Sequence, residues 1–370
     1  MIYLDNAATT LPKPPAVIDA MAWAAGHLAS PGRGSSRASE QAAELLYNLR
    51  VTAGQMFSCR PEGVVLTTSA THGLNIALKS LAGPGDRAVI SCVEHNAVLR
   101  PLHALGADVH VAGGAVFDSA DLLRDMDRLL TPDTKVCAVT HVSNVFGWVL
   151  PLREIAGLCR DRGIPLVVDG AQSAGTLPLS LEDLGAAFIA MPGHKGLLGP
   201  QGTGLLLCGH ETRTLMEGGT GSLSRQREMP DFLPDRLEAG TQNIPGAAGL
   251  LAGLRYLGSV PPDSIRQREQ SFRDALIPRL RRIPGVRVYA GEPQTGVISL
   301  TAEDRDCVRL SETLSRRGIA TRAGLHCAPL AHETAGTIET GTLRVSLGPF
   351  TRWEDLRAFA AALEEILQEE

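Results

Sequence analysis

The chain has 370 residues, 44% hydrophobic and 20% charged, with a net charge of −5. This is the composition of an ordinary globular protein too long for one simple core, and its acidic balance excludes the basic footprint of a nucleic-acid binder. No apolar run approaches the ~20 residues of a membrane span. The seven cysteines are odd in number and lack CxxC spacing, so neither a disulfide framework nor a metal site is indicated, and the opening Met1-Ile2-Tyr3-Leu4-Asp5 has no signal-peptide pattern. A reducing, cytoplasmic setting is expected.

Residues 1–15 read as an extended arm rich in Asn, Thr and Pro. A helix of Ala and Met follows to about His27, then a Gly/Ser-rich loop over residues 30–39 and a helix over residues 40–57. From there short apolar strands alternate with helices. Strands are expected at 64–67, 88–91, 108–111, 136–140, 166–169, 188–191 and 204–208. Helices are marked by Leu74, Leu78 and Leu81 and by the patterns at 120–130 and 152–162. Such alternation predicts a mostly parallel sheet with helices on both faces. A helix over 246–257, ended by Pro261-Pro262, leads to a smaller α+β unit. It carries helices at 272–282, 306–317 and 352–367 and strands at 286–289, 296–300 and 342–346. The expected division is an arm (1–15), a large α/β domain (16–260) and a small C-terminal domain (261–370).

Ligands of open α/β sheets sit beyond the carboxyl ends of the strands, and polar groups gather there. Thr67-Thr68-Ser69-Ala70-Thr71-His72-Gly73 joins a strand to a helix start, where hydroxyls and free N–H groups suit either a phosphate or simple capping. Glu94-His95-Asn96, Ser143-Asn144 and Asp169-Gly170-Ala171-Gln172-Ser173 follow three further strands. A half-buried Asp169 stays charged only beside a cation or donors, such as a protonated ring nitrogen; a helix cap is the alternative. Met191-Pro192-Gly193-His194-Lys195-Gly196 turns sharply and presents an amine. A solvated turn lysine is the simpler reading. Yet only Lys13, Lys79, Lys135 and Lys195 stand among 35 basic residues, so a lysine kept in a glycine-flanked loop is wanted for its amine. A phosphate cradle, a flat histidine, a carboxylate for a pyridinium nitrogen and a Schiff-base lysine are together the requirements of pyridoxal phosphate.

The chain resembles, nearly end to end, the class V aminotransferase-fold enzymes of pyridoxal-phosphate fold type I. Within them it is similar to the cysteine desulfurases. The resemblance is carried by Tyr3-Leu4-Asp5-Asn6-Ala7-Ala8-Thr9-Thr10, Ala70-Thr71-His72-Gly73-Leu74-Asn75, Glu94-His95, Val168-Asp169-Gly170-Ala171-Gln172-Ser173, Gly193-His194-Lys195 and Glu238-Ala239-Gly240-Thr241. It implies that Lys195 carries the cofactor and shuttles protons. Asp169 pairs with the ring nitrogen, Gln172 donates to the phenolate oxygen, and His95 stacks on the ring and moves protons. Thr71, His72 and His194 hold the phosphate with Thr241 of a second subunit, which implies a homodimer. Asn144 orients the cofactor and the substrate carboxylate.

Thr321-Arg322-Ala323-Gly324-Leu325-His326-Cys327-Ala328-Pro329 resembles the cysteine loop of group II desulfurases, which makes Cys327 the sulfur-accepting nucleophile. Arg344, in Gly341-Thr342-Leu343-Arg344-Val345-Ser346, stands where the substrate-carboxylate clamp lies. The implied reaction takes L-cysteine to L-alanine, leaves a persulfide on Cys327, and passes its sulfur to an acceptor: a small protein, a dedicated biosynthetic enzyme or a free thiol. Pro192, Ser36 and Phe350-Thr351 depart from the family pattern. Pro192 removes a hydrogen-bond donor expected near the phosphate. Selenocysteine lyase activity on L-selenocysteine, another class V reaction (aminotransfer or C–S cleavage), and a non-catalytic pyridoxal-phosphate scaffold are the alternatives.

Overall fold

A computed structural model describes residues 1–31, 35–261 and 263–369. Residues 32–34 of the expected Gly/Ser loop and Pro262 of the expected break lie outside the described residues. The chain opens with β1 (Ile2–Tyr3), α1 (Pro15–His27), α2 (Arg37–Phe57), β2 (Val64–Thr67), α3 (Ala70–Leu81), β3 (Arg87–Ser91), α4 (Asn96–Leu105) and β4 (Asp108–Ala112). It continues through α5 (Ser119–Leu129), β5 (Thr134–Thr140), α6 (Leu152–Asp161), β6 (Leu166–Asp169), α7 (Leu181–Leu184), β7 (Phe188–Pro192), β8 (Gly204–Cys208) and α8 (Ile244–Ser259).

Strands β2 to β8 form one sheet in the order β2-β8-β7-β6-β5-β3-β4. Only β8 runs against its neighbours, so the expected mostly parallel sheet is observed. Its strands read as unbroken apolar runs because both faces are covered. Successive residues alternate between two cores. Leu166, Val168, Ile189, Met191, Leu205 and Leu207 pack with α2, α5, α6 and α8, whereas Val167, Phe188, Ala190 and Leu206 pack with α3 and α4.

The remaining elements are α9 (Ser264–Leu280), β9 (Val286–Tyr289), β10 (Val297–Ala302), α10 (Cys307–Arg316), β11 (Ile319–Ala320), β12 (Arg322–Gly324), α11 (Pro329–Ala335), β13 (Thr342–Ser346) and α12 (Trp353–Glu369). An antiparallel sheet, β12-β13-β10-β9, packs its Ile298, Leu300, Leu343 and Val345 against Phe272, Leu276, Leu310, Leu314, Phe359 and Leu363. The arm belongs to this layer. Strand β1 pairs with β11, and Leu4 is fully buried in the same core.

Among the elements that differ from expectation, three show the physical reason most directly. Helix α4 passes through Pro101, a residue that reads as a breaker because it lacks an N–H. The helix holds because His95 caps its start and Val98 and Leu102 are buried. Helix α11 begins with Pro329 at its first position, where proline is preorganised. Helix α9 starts at Ser264 rather than near 272. Its first two turns carry charges that hide their periodicity.

Candidate active site

The carboxyl ends of β2, β3, β5, β6 and β7 bring most of the expected residues together. Asp169 is the last residue of β6 and is only 3% exposed. Its Oδ1 accepts from the Ala171 N–H (2.9 Å). Burial raises the Asp169 pKa, against the pull of that N–H and of Lys195. Lys195 follows β7, and its amine makes no hydrogen bond or ion pair among the described residues. Burial lowers its pKa to about 8, Asp169 and Asp5 opposing and Arg344 and Arg322 assisting. In both groups desolvation outweighs mutual attraction. An amine near 8 can give and take protons at neutral pH.

The turn carrying Lys195 is shaped by close backbone approach. A Cβ on Gly193 would meet Thr203 Oγ1 at 2.1 Å, and one on Gly196 would meet the Ala174 carbonyl oxygen at 2.2 Å. Neither position accepts a side chain without movement.

His95 caps α4. Its Nδ1 accepts from the Ala97 N–H (3.0 Å), which places any ring proton on Nε2. Burial, then the charges of Lys195, Arg100 and Arg344, lower its pKa to about 4. It is therefore a neutral imidazole at neutral pH. The preceding Glu94 is fully buried. It accepts from the Ser91 hydroxyl and the Thr140 N–H, and burial raises its pKa to about 8, with the Asp169 charge adding to the rise, so it stands as a neutral acid.

At the start of α3, Ser69 caps the helix by accepting from the His72 N–H, and Thr71 lies exposed in the first turn. His72 receives the Thr68 N–H on Nδ1 (3.3 Å), while its Nε2 is buried and unpartnered. Nδ1 of His194 is likewise buried without a partner, and burial, Lys195 and Lys13 lower that ring's pKa to about 4. Gln172 donates to the Ala7 carbonyl (3.0 Å) with one amide hydrogen and keeps the other. Thr241 is exposed on a different surface, beside an open cavity that it shares with Tyr47, Arg50 and Glu238.

The β12–α11 segment brings Cys327 to the same region. The Asn96 N–H donates to the Cys327 carbonyl (2.8 Å), and Asn144 Nδ2 donates to the His326 carbonyl (2.7 Å). These contacts tie the loop to His95's neighbour and to the end of β5. His326 (φ 49°) and Cys327 (φ 57°) both lie in the left-handed region, which non-glycine residues rarely adopt. Cys327 is exposed, whereas Cys137 and Cys159 are buried in the core.

Arg344 is 2% exposed. One Nη2–H goes to Asp5 (2.8 Å) and Nη1 donates to the Asn144 carbonyl (2.9 Å), leaving Nε buried and unpartnered. Its fork is thus already partly engaged. Asp5 also accepts from Arg322 (3.0 Å). The sequence reading placed Asp5 only within the arm motif; its two arginine partners come from β12 and β13, some 320 residues away, and no local pattern could reveal them.

The residues present fit pyridoxal phosphate. Thr71, His72 and His194 offer unpaired polar atoms to a phosphate, Asp169 offers a dry carboxylate to a ring nitrogen, Lys195 offers a free amine, and His95 offers a neutral ring. Cavities of about 530 and 770 Å³ elsewhere in the molecule contain none of these residues, so the convergence of donors, and not volume, marks the site.

The description "Aminotransferase class-V" matches residues 2–359. A probable cysteine desulfurase from Xylella fastidiosa is 33% identical over 382 residues, covering 99% of this chain and 91% of that protein. The apo structure of a cysteine desulfurase from Thermococcus onnurineus superposes with a TM-score of 0.91 at 29% identity, covering 100% of this chain and 95% of that one. A C-DES variant with glycine covalently linked to its PLP cofactor shares the fold, with a TM-score of 0.83 at 24% identity over 98% of this chain and 96% of that one. The chain belongs to the aminotransferase class-V family, among its cysteine desulfurases.

Proposed function

We propose that this chain is a pyridoxal-phosphate-dependent cysteine desulfurase: L-cysteine and the Cys327 thiol give L-alanine and a Cys327 persulfide, from which an acceptor takes the sulfur. The observation that carries this reading is an exposed thiol, Cys327, on a loop tied to the strand ends, the Asn96 N–H holding the Cys327 carbonyl and Asn144 holding the His326 carbonyl.

Bound pyridoxal phosphate supplies an electron sink for charge developing at the substrate Cα. Thr71, His72 and His194 bind its phosphate. Asp169 would hold the ring nitrogen positive, Gln172 would offer its second amide hydrogen to the ring oxygen, and His95 would offer its neutral ring to the cofactor. Lys195 Nζ, with a pKa about 8, takes the Cα proton and later returns one. The Arg344 Nε edge and Asn144 receive the substrate carboxylate. Cys327 Sγ attacks the substrate sulfur, forming the S–S bond as the Cβ–S bond breaks.

Thr241 reaches the phosphate of a second subunit, which makes the working unit a homodimer of chains divided into an arm (1–15), a large unit (16–260) and a small unit (261–370). No described helix is long and apolar enough to cross a membrane. A cytoplasmic setting suits the seven free thiols. The test is to incubate the cofactor-loaded protein with L-cysteine and with L-selenocysteine, measuring alanine, sulfide or selenide, and persulfide on Cys327 by mass spectrometry. Alanine with a Cys327 persulfide from cysteine supports the reading. Turnover of selenocysteine alone makes it a selenocysteine lyase, and no alanine from either makes it a scaffold.

A further inference from the structure

One of the chain's three other lysines reaches the main chain that carries Lys195. Lys13, between Pro12 and Pro14 of the arm, donates its ammonium to the His194 carbonyl (2.7 Å) and to the Thr10 hydroxyl. The same His194 carbonyl also receives the Thr10 N–H (3.1 Å), the Thr10 hydroxyl (3.0 Å) and the Thr9 hydroxyl (3.3 Å). The Thr10 hydroxyl further reaches the Lys195 carbonyl (3.1 Å). A carbonyl oxygen has two lone pairs, so these donors compete, and the charged one makes the strongest bond.

No carboxylate faces Lys13 among the described residues. Its charge is met by carbonyl and hydroxyl oxygen alone, so the ammonium is not there to close an ion pair. Burial lowers its pKa to about 8. We propose that Lys13 is a positioning residue for Lys195: its ammonium fixes the His194 carbonyl and the Thr10 hydroxyl, and so sets the main chain from which the cofactor-bearing amine projects. While the Thr10 oxygen accepts from Lys13, its own hydrogen is free for only one of the two backbone carbonyls, which orders the His194–Lys195 peptide.

This inference rests on the reading that Lys195 carries pyridoxal phosphate. The turn itself does not depend on Lys13, because Gly193 N–H to Thr203 O (2.8 Å), Gly199 N–H to Gly193 O (2.8 Å) and Leu198 N–H to Lys195 O (2.9 Å) persist without it. Lys13→Met should therefore fold while losing the ammonium.

The experiment compares wild type and Lys13→Met as holoproteins. It measures cofactor retention by equilibrium dialysis, the pH midpoint of the bound cofactor's absorbance, and apoprotein melting, with methylammonium or tetramethylammonium chloride added at tens of millimolar. Lys13→Met should retain the cofactor ~10-fold less well, the scale of one charge-assisted hydrogen bond. Its absorbance midpoint should shift, its apoprotein should melt as wild type does, and methylammonium, but not the bulkier tetramethylammonium, should restore both readouts. Wild-type retention and midpoint in the variant overturn the proposal. So does a loss that methylammonium leaves untouched and that a lowered apoprotein melt accompanies, since that is the signature of a brace for the arm. Borohydride trapping in the wild type separates the two claims: a tag on a lysine other than Lys195 sinks the underlying assignment, whatever Lys13 does.

Discussion

The site has two halves of different physical character. The sheet half (Asp169, Lys195, His95 and Glu94) sits at strand ends in a dry environment where burial dominates every pKa: acids are raised, the amine is lowered to about 8, and the imidazole to about 4. The loop half presents Cys327 to solvent on a backbone held in the left-handed region by two hydrogen bonds to the sheet half. Chemistry that needs a tuned proton inventory is placed where water is excluded. The proposed nucleophile, which on that reading hands its sulfur to something outside, is placed where it can be reached.

The comparison is broken most severely from the sheet side. On the assignment proposed above, Lys195→Ala removes covalent anchor and proton carrier together, and alanine formation should fall at least ~10³-fold. The cofactor's absorbance should also lose its lysine-linked band. If that variant turns over like wild type, the two halves are misassigned. On the loop side, Cys327→Ser should cut sulfide and persulfide formation at least ~10²-fold while cofactor spectrum and retention stay unchanged. Equal damage to both readouts would show that the halves are not separable.

Much of the sheet half was legible because each residue ends an apolar run: Asp169 follows Leu166–Val168, and Gly193-His194-Lys195 follows Phe188–Pro192. Strand ends are local events, and the rule that ligands collect there is general. The loop half was legible only by resemblance, since nothing in residues 321–329 predicts the β12 pairing or the left-handed backbone. Hidden altogether were the long-range partners. Asp5 meets Arg344 across 339 positions and Lys13 meets His194 across 181; the lysine count that singled out Lys195 applied equally to Lys13, but composition carries no distance. Helix α4 was obscured by Pro101, whose cost is offset by burial that a local pattern does not display.

A finer test addresses the tether between the halves. Asn144→Ala frees the His326 carbonyl and removes the proposed carboxylate ligand, so turnover should fall ~10-fold, about the net value of one or two hydrogen bonds. Amide exchange at residues 325–328 should rise while exchange at residues 188–196 does not. Protection lost in both segments would mean that the loop braces the sheet half, rather than hanging from it.

The smallest effect concerns the dryness of the sheet half. Glu94 is buried with a pKa raised to about 8, above the ~4.3 of an exposed glutamate. Between those values the folded state binds more protons than the unfolded state, so its contribution to stability is present at low pH and is lost as pH rises toward 8. Glu269, also raised to about 8 by burial, acts in the same sense. The histidines lowered to about 4 (His95, His141, His194 and His332) act oppositely, but only below about 6.5. Above about 6.5 the histidines are silent, and Lys13 and Lys195, titrating near 8 in both proteins, cancel when variant and wild type are compared, so the useful window is pH 6.5 to 8. Gln in place of Glu94 can still accept from Ser91 and Thr140 and cannot ionise. The stability margin of apoprotein Glu94→Gln over wild type, read by urea unfolding, should widen by ~1 kcal/mol between pH 6.5 and pH 8, because the variant escapes the wild type's continuing loss. Parallel pH curves for the two proteins would mean that water reaches Glu94, and that the contrast between a dry sheet half and a wet loop half does not extend to that residue.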